Sequence, residues 1–186
     1  MLTNRQALRL AIDGRRGRSW YTDARRQIQA VCERNRWDVS RFVGILAVTS
    51  PRVAVRRNIR TTYHYMLGDD WTDGTIRSVR TSVATYETTG RILGPKTSAF
   101  YRCLMGCGES IVLDTWMAYA FGVPQAKINQ VAVSRPIKAT IGYAAYVLGW
   151  SNAEVQAAIW TATMAEYGRN DQPFCIEEVD NEFLPF

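Results

Sequence analysis

The feature that most limits how this chain can fold is its punctuation. Apolar residues recur at helical spacing in short segments, and each segment soon meets a glycine or a polar turn. Asp13-Gly14, Gly68-Asp69-Asp70, Gly90, Gly122-Val123-Pro124 and Gly149-Trp150 read as stops. Thr22, Asp38, Ser134 and the box Ser151-Asn152-Ala153-Glu154 read as starts, because a short polar side chain there can accept from an otherwise unpaired helix N–H. Few stretches alternate with period two, so the expected class is all-α.

The pattern predicts helices over residues 3–12, from Thr22 to Asn35, from Asp38 to a polar turn at Thr49-Ser50-Pro51-Arg52, and over 52–66 and 75–88. Further helices are expected from Lys96 to Met105, from Asp114 onward, from Ser134 to Leu148 and from Ser151 to Tyr167. The basic loop Arg15 to Ser19 is expected to be flexible. The whole chain, 1–186, reads as a single helical domain, with 169–186 as an acidic tail. No run of 18 apolar residues and no signal-peptide pattern is present, so no membrane span or export is expected and the cytoplasm is the expected compartment. Four scattered cysteines and one histidine make no zinc set; buried reduced thiols, no metal and no cofactor are expected.

Charge is unevenly distributed. Residues 1–100 carry 18 basic and 8 acidic side chains, and residues 101–186 carry 5 and 9. A basic half points to a polyanionic partner. Arg52, Arg56, Arg57 and Arg60 form an arginine-rich stretch, with Arg56 and Arg60 one helical turn apart and Arg52 expected a turn earlier on the same side. Tyr63, His64 and Tyr65 follow it as candidates for stacking a base, or for the core.

Chemistry concentrates between Gly90 and Gly122, which contains G-P-K-T-S-A-F-Y-R-C-L and, further on, I-V-L-D-T-W-M-A-Y-A. Lys96 opens one expected helix and Asp114 the next, 18 positions later. A ten-residue helix rises about 15 Å. The nine steps after Met105 can span up to about 30 Å, enough to return Asp114 towards Lys96. Of 23 basic residues only Lys96, Lys127 and Lys138 are lysines, and a lysine in an arginine-preferring chain suits a place that needs a deprotonatable amine.

G-P-K-T-S-A-F with L-D-T-W-M-A-Y-A resembles the signature of the helix-hairpin-helix DNA glycosylases, the endonuclease III and 8-oxoguanine glycosylase superfamily. The resemblance is specific over roughly 25 residues. It implies a multi-helix glycosylase-like fold with a degenerate helix-hairpin-helix element: the turn reads G-R-I-L-G-P, and only Gly94 falls where the second hairpin glycine belongs. Trp116 stands where a histidine often follows the aspartate. The roles it implies are a nucleophile at sugar C1′ for Lys96 and the essential carboxylate for Asp114. Gly94, Thr97, Ser50 and the four arginines would contact DNA, and Trp116 and Tyr119, with Tyr63, His64 and Tyr65, would wall the base pocket. The C-terminal region holds only Cys175, so the iron–sulfur cluster of some relatives is not expected.

The expected function is therefore base excision from double-stranded DNA by a monomer, with the base flipped out, either with AP-lyase activity or without it. The compartment would be the host cytoplasm if the gene is phage-borne. Two alternatives share the scaffold or the partner: a DNA base-hypermodification enzyme resembling amino-acid:DNA transferases, and a helical DNA-binding protein without catalysis. A helical scaffold with no nucleic-acid partner is a third reading.

Overall fold

The computed structural model describes residues 1–169 and 173–183. Among them the chain forms ten α-helices, two single 3₁₀ turns and no strand, so the all-α expectation holds. The helices are α1 (Asn4–Asp13), α2 (Trp20–Asn35), α3 (Val39–Thr49), α4 (Val55–Leu67), α5 (Arg77–Thr89), α6 (Pro95–Leu104), α7 (Thr115–Phe121), α8 (Val131–Leu148), α9 (Asn152–Glu166) and α10 (Ile176–Phe183). The 3₁₀ turns are Arg15–Gly17 and Gln125–Lys127. The chain packs as two compact units. One is formed by Met1–Tyr21 with the chain from Gly106 through α9, the other by Thr22–Met105 with α10.

The first unit is built round α9. Ten of its 15 residues are buried, on every side, which is why it shows little amphipathic bias. α1, α7 and α8 pack on it. Their inward residues, among them Ala7 and Ala11, Met117 and Phe121, and Ile137 and Ile141, form one core with Val155, Ala158 and Ile159. Each large side chain so buried contributes about 1.5–3 kcal/mol. The expected box starts α9: the Glu154 N–H donates to Ser151 Oγ at 3.2 Å and the Ser151 N–H to Glu154 Oε2 at 2.7 Å. Gly14 follows α1 because a Cβ there would lie 1.9 Å from the Ala158 carbonyl oxygen, so only glycine lets the chain cross α9 at this depth.

The second unit is built round α3, whose residues Phe42 to Thr49 are buried without a break. α4, α5 and α6 pack on it, and α10 lies on α4. Asp38 caps α3 as expected, accepting from the Arg41 N–H at 2.6 Å. The buried C-terminal carbonyls of α3 are satisfied by side chains. Thr49 Oγ1 donates to Ile45, Asn58 Nδ2 to Leu46 and Ser50 Oγ to Ala47, at 2.7, 2.8 and 2.8 Å.

Several local expectations are corrected. α2 begins at Trp20, not behind a Thr22 cap; Trp20 meets Tyr21 edge-on and lies 6.1 Å from Trp160, so tertiary packing sets the start. Arg52 is not on the arginine helix. It sits in the preceding turn with φ 61°, and α4 begins only at Val55. α8 begins at Val131, so Ser134 is inside it and Pro136 interrupts its second turn; burial of Ile137, Ile141 and Ala144 offsets the missing N–H. The loop Arg15 to Ser19 is not free: it holds a 3₁₀ turn, and Arg18 donates to Glu154 Oε1 at 2.7 Å and lies over the Trp150 ring. The expected acidic tail contains α10, while residues 170–172 and 184–186 lie outside the described residues.

Gly14→Ala is expected to lower unfolding free energy by about 1–3 kcal/mol through forced displacement of the α9 backbone. A urea titration checks this, read as a lower midpoint with an unchanged slope.

Candidate active site

Lys96 is placed by the turn between α5 and α6. Gly90 closes α5 with φ 67°, and Gly94 precedes α6 with φ 91° and ψ 141°, a conformation that disfavours any Cβ. Pro95 takes the first helical position, where its missing N–H costs nothing. Buried Thr97 secures the turn, its hydroxyl donating back to the carbonyls of Leu93 and Gly94. α6 is fixed to α3 through its inner face, which buries Ala99 and Leu104. Lys96 is half-buried and has no hydrogen-bond or ion-pair partner among the described residues, whereas Lys127 and Lys138 are exposed.

Asp114 belongs to the other unit. The buried run Ile111 to Leu113 leads into it, and it caps α7. Oδ1 accepts from the Met117 N–H at 3.0 Å and Oδ2 from the Trp160 indole N–H at 3.2 Å. Both carboxylate oxygens are thus oriented. Trp160 reads from sequence as packing; nothing in its helical register signals that its indole holds a carboxylate 46 positions away.

Trp116 and Tyr119 are brought together. Their rings meet edge-on at 5.6 Å, and Tyr167, which the sequence did not single out, stacks on Tyr119 at 5.3 Å and 22°. Tyr119 and Tyr167 are exposed and border an open cavity of about 430 Å³ whose wall includes Gln6, Arg9 and Glu166.

Tyr63, His64 and Tyr65 do not form one cluster. Tyr63 is buried among Trp37, Phe42 and Phe183, and its hydroxyl donates to Asp180 at 2.9 Å. Burial first, and then the Asp180 carboxylate, push that hydroxyl's pKa above its ordinary value. His64 sets its ring edge-on to Phe183 and faces Asp69 at 3.4 Å. Tyr65 packs on Trp71 on another side, under the Arg41 guanidinium, which pairs with Glu87.

The arginine-rich stretch is divided too. Arg52 is in the turn, with Ser50 bonded to the end of α3. The Arg57 guanidinium lies against Gly74. Arg56 and Arg60 share Glu182: Arg60 Nε and Nη2 donate to its two oxygens at 2.7 and 2.8 Å, and Arg56 Nη2 donates at 2.9 Å. Arg56 also reaches Glu178 at 3.4 Å. Asp180, on the inner side of α10, is buried and accepts from Tyr63 and Asn35 beside Arg34 at 3.1 Å. The hydrogen bonds from Arg60 and then Arg56 hold the Glu182 carboxyl well down, at about 2 against an ordinary 4.5. Of the cysteines, Cys32 and Cys103 are buried, Cys175 is half-buried and Cys107 is exposed, which corrects the expectation that all are buried.

The described residues are all-helical, with Lys96 at the head of α6 in one unit and an oriented Asp114 at the head of α7 in the other. The chain belongs to a family of unknown function (DUF7178), whose model matches residues 9–167. That span includes Lys96, Asp114 and the arginines of α4; α10 lies beyond it. No curated protein and no solved structure matches the chain.

Two measurements test this geometry. Trp160→Phe removes the indole donor and is expected to cost about 1 kcal/mol, seen in the urea midpoint. Because Glu182 has a depressed folded-state pKa, its contribution is present above about pH 4.5 and is lost as pH falls towards about 2. Carboxyl-carbon NMR should give a Glu182 midpoint near 2, moving towards 4.5 in Arg60→Gln.

Proposed function

We propose that the protein acts on DNA as an N-glycosylase with AP-lyase activity, Lys96 being the nucleophile and Asp114 the carboxylate that stabilises the cationic sugar. The observation that carries the reading is the state of Lys96. It is half-buried, unpartnered among the described residues, and held behind the Gly94-Pro95 turn, within the stretch that resembles the helix-hairpin-helix glycosylases. Asp114 supports it as a carboxylate whose two oxygens are already oriented.

The chemistry follows from those groups. The Lys96 amine nitrogen forms a bond to C1′ as the C1′–base bond breaks, and the base leaves with the bonding electrons and takes up the proton that the attacking nitrogen sheds. Positive charge develops on the sugar at this point, and a carboxylate lowers its energy, as in glycoside hydrolysis. Ring opening gives a Schiff base, from which loss of a C2′ proton expels the 3′ phosphate and cuts the strand. The base must first leave the stack, which costs a few kcal/mol and least for a damaged or mismatched base. Trp116 and Tyr119, now joined by Tyr167, are the aromatic surfaces on which a planar base would stack.

Borohydride trapping on duplexes carrying abasic, oxidised, deaminated or hypermodified nucleosides tests the reading. A covalent protein–DNA band is expected in the wild type and absent in Lys96→Ala. Asp114→Asn is expected to slow base release by about 100-fold or more. Full strand cleavage by Lys96→Gln would remove the nucleophile from the scheme, and an enlarged nucleoside in place of a free base would identify a transferase.

A further inference from the structure

The arginine pair on α4 already holds an anion, and the anion comes from the protein itself. Glu182 presents two carboxylate oxygens to the Arg60 fork and to Arg56, the planar two-oxygen arrangement that a phosphodiester also offers a guanidinium. We infer that Arg56 and Arg60 form a nucleic-acid backbone site whose resting occupant is the Glu182 carboxylate, and that a DNA phosphate binds there by displacing it. The inference rests on the nucleic-acid partner proposed above, but not on the chemistry of Lys96.

Two features divide α10 into an anchor and an exchangeable face. Ile176, Val179 and Asp180 are buried, and Asp180 is tied to Tyr63, Asn35 and Arg34, so the helix itself is held by contacts that do not involve the arginine pair. Glu178 and Glu182 are on the solvent side, and their partners are about half exposed. The clasp is bidentate, but its charges are open to water and salt, so another anion of the same two-oxygen shape can compete for the guanidinium groups. A phosphate can therefore take the guanidinium pair by rotation of two side chains, with α10 still docked. The exchange also shapes selectivity. One isolated phosphate gains little over the carboxylate it replaces, whereas a duplex that engages further basic groups gains from each of them, so the internal carboxylate suppresses weak binding more than extended binding.

The test is fluorescence anisotropy with a short undamaged duplex across a potassium chloride series, on the full chain, with circular dichroism to confirm folding. Glu178→Gln/Glu182→Gln is expected to bind about threefold to tenfold tighter than wild type, with a salt slope steeper by about 1, because a phosphate then replaces water and counterions instead of a carboxylate. Arg56→Gln/Arg60→Gln is expected to bind about tenfold weaker, and adding the two glutamine changes on α10 to it should restore nothing. Equal affinity and slope in the wild type and the Glu178→Gln/Glu182→Gln variant would overturn the inference, as would an Arg56→Gln/Arg60→Gln variant that binds like wild type. The expected pattern without any trapped adduct or released base would leave this site standing and remove the glycosylase reading. Trapping that succeeds with none of the expected pattern would do the reverse, and no duplex binding by any variant would overturn both.

Discussion

Burial of two helices on all sides is the constraint on which the rest depends. α3 and α9 are buried on every side along most of their length, so the helices that pack directly on them are placed by what they require. Such a helix needs small residues where neighbours come close, which the alanines of α9 provide. It also needs its terminal carbonyls and N–H groups satisfied without water, which explains why Asn58, Thr49 and Ser50 gather at the end of α3 and why a reciprocal cap starts α9. The elements carrying Lys96 and Asp114, α6 and α7, are each seated on one of these two helices.

What could be read from the sequence was what is decided locally. The Asp38 cap, the Ser151 box and the Asp114 start all depend on residues three apart, and they occur where expected. The failures share one cause, a decision taken by distant residues. Trp20 starts α2 two residues early in a ring cluster with Trp160, and Arg52 leaves the helix because the end of α3 and its polar turn hold the chain there. Tyr63, His64 and Tyr65 are adjacent in sequence, but adjacent helical residues point about 100° apart. One therefore enters the core, one meets Phe183 and one faces Trp71. The Trp160 bond to Asp114 and the Glu182 clasp on Arg56 and Arg60 span 46 and more than 120 positions, and no periodicity encodes them.

The charge asymmetry of the chain has a different meaning once folded. In sequence the acidic excess lies in the second half and the basic excess in the first. In the structure α10 carries acidic groups back onto α4, so part of the asymmetry is cancelled within one unit. Arginine content alone therefore overstates the free positive surface. Arg18 and Arg41 illustrate the same point, each pairing with a glutamate and lying over an aromatic ring. Lys96 differs from Lys127 and Lys138 in being half-buried, and it has no partner among the described residues.

Each unit is assembled from two separated pieces of chain. α1 is made before α8 and α9, on which it packs and which are synthesised more than a hundred residues later, and α4 waits over a similar length of chain for α10. During synthesis the apolar face of α1 and the arginines of α4 emerge before their partners exist. At ribosomal elongation rates of about 5–20 residues per second, that interval lasts several seconds, far longer than a helix needs to form. For that time the nascent chain presents a basic helix beside a polyanionic ribosome, and the arrival of α10 gives Arg56 and Arg60 an internal counter-charge.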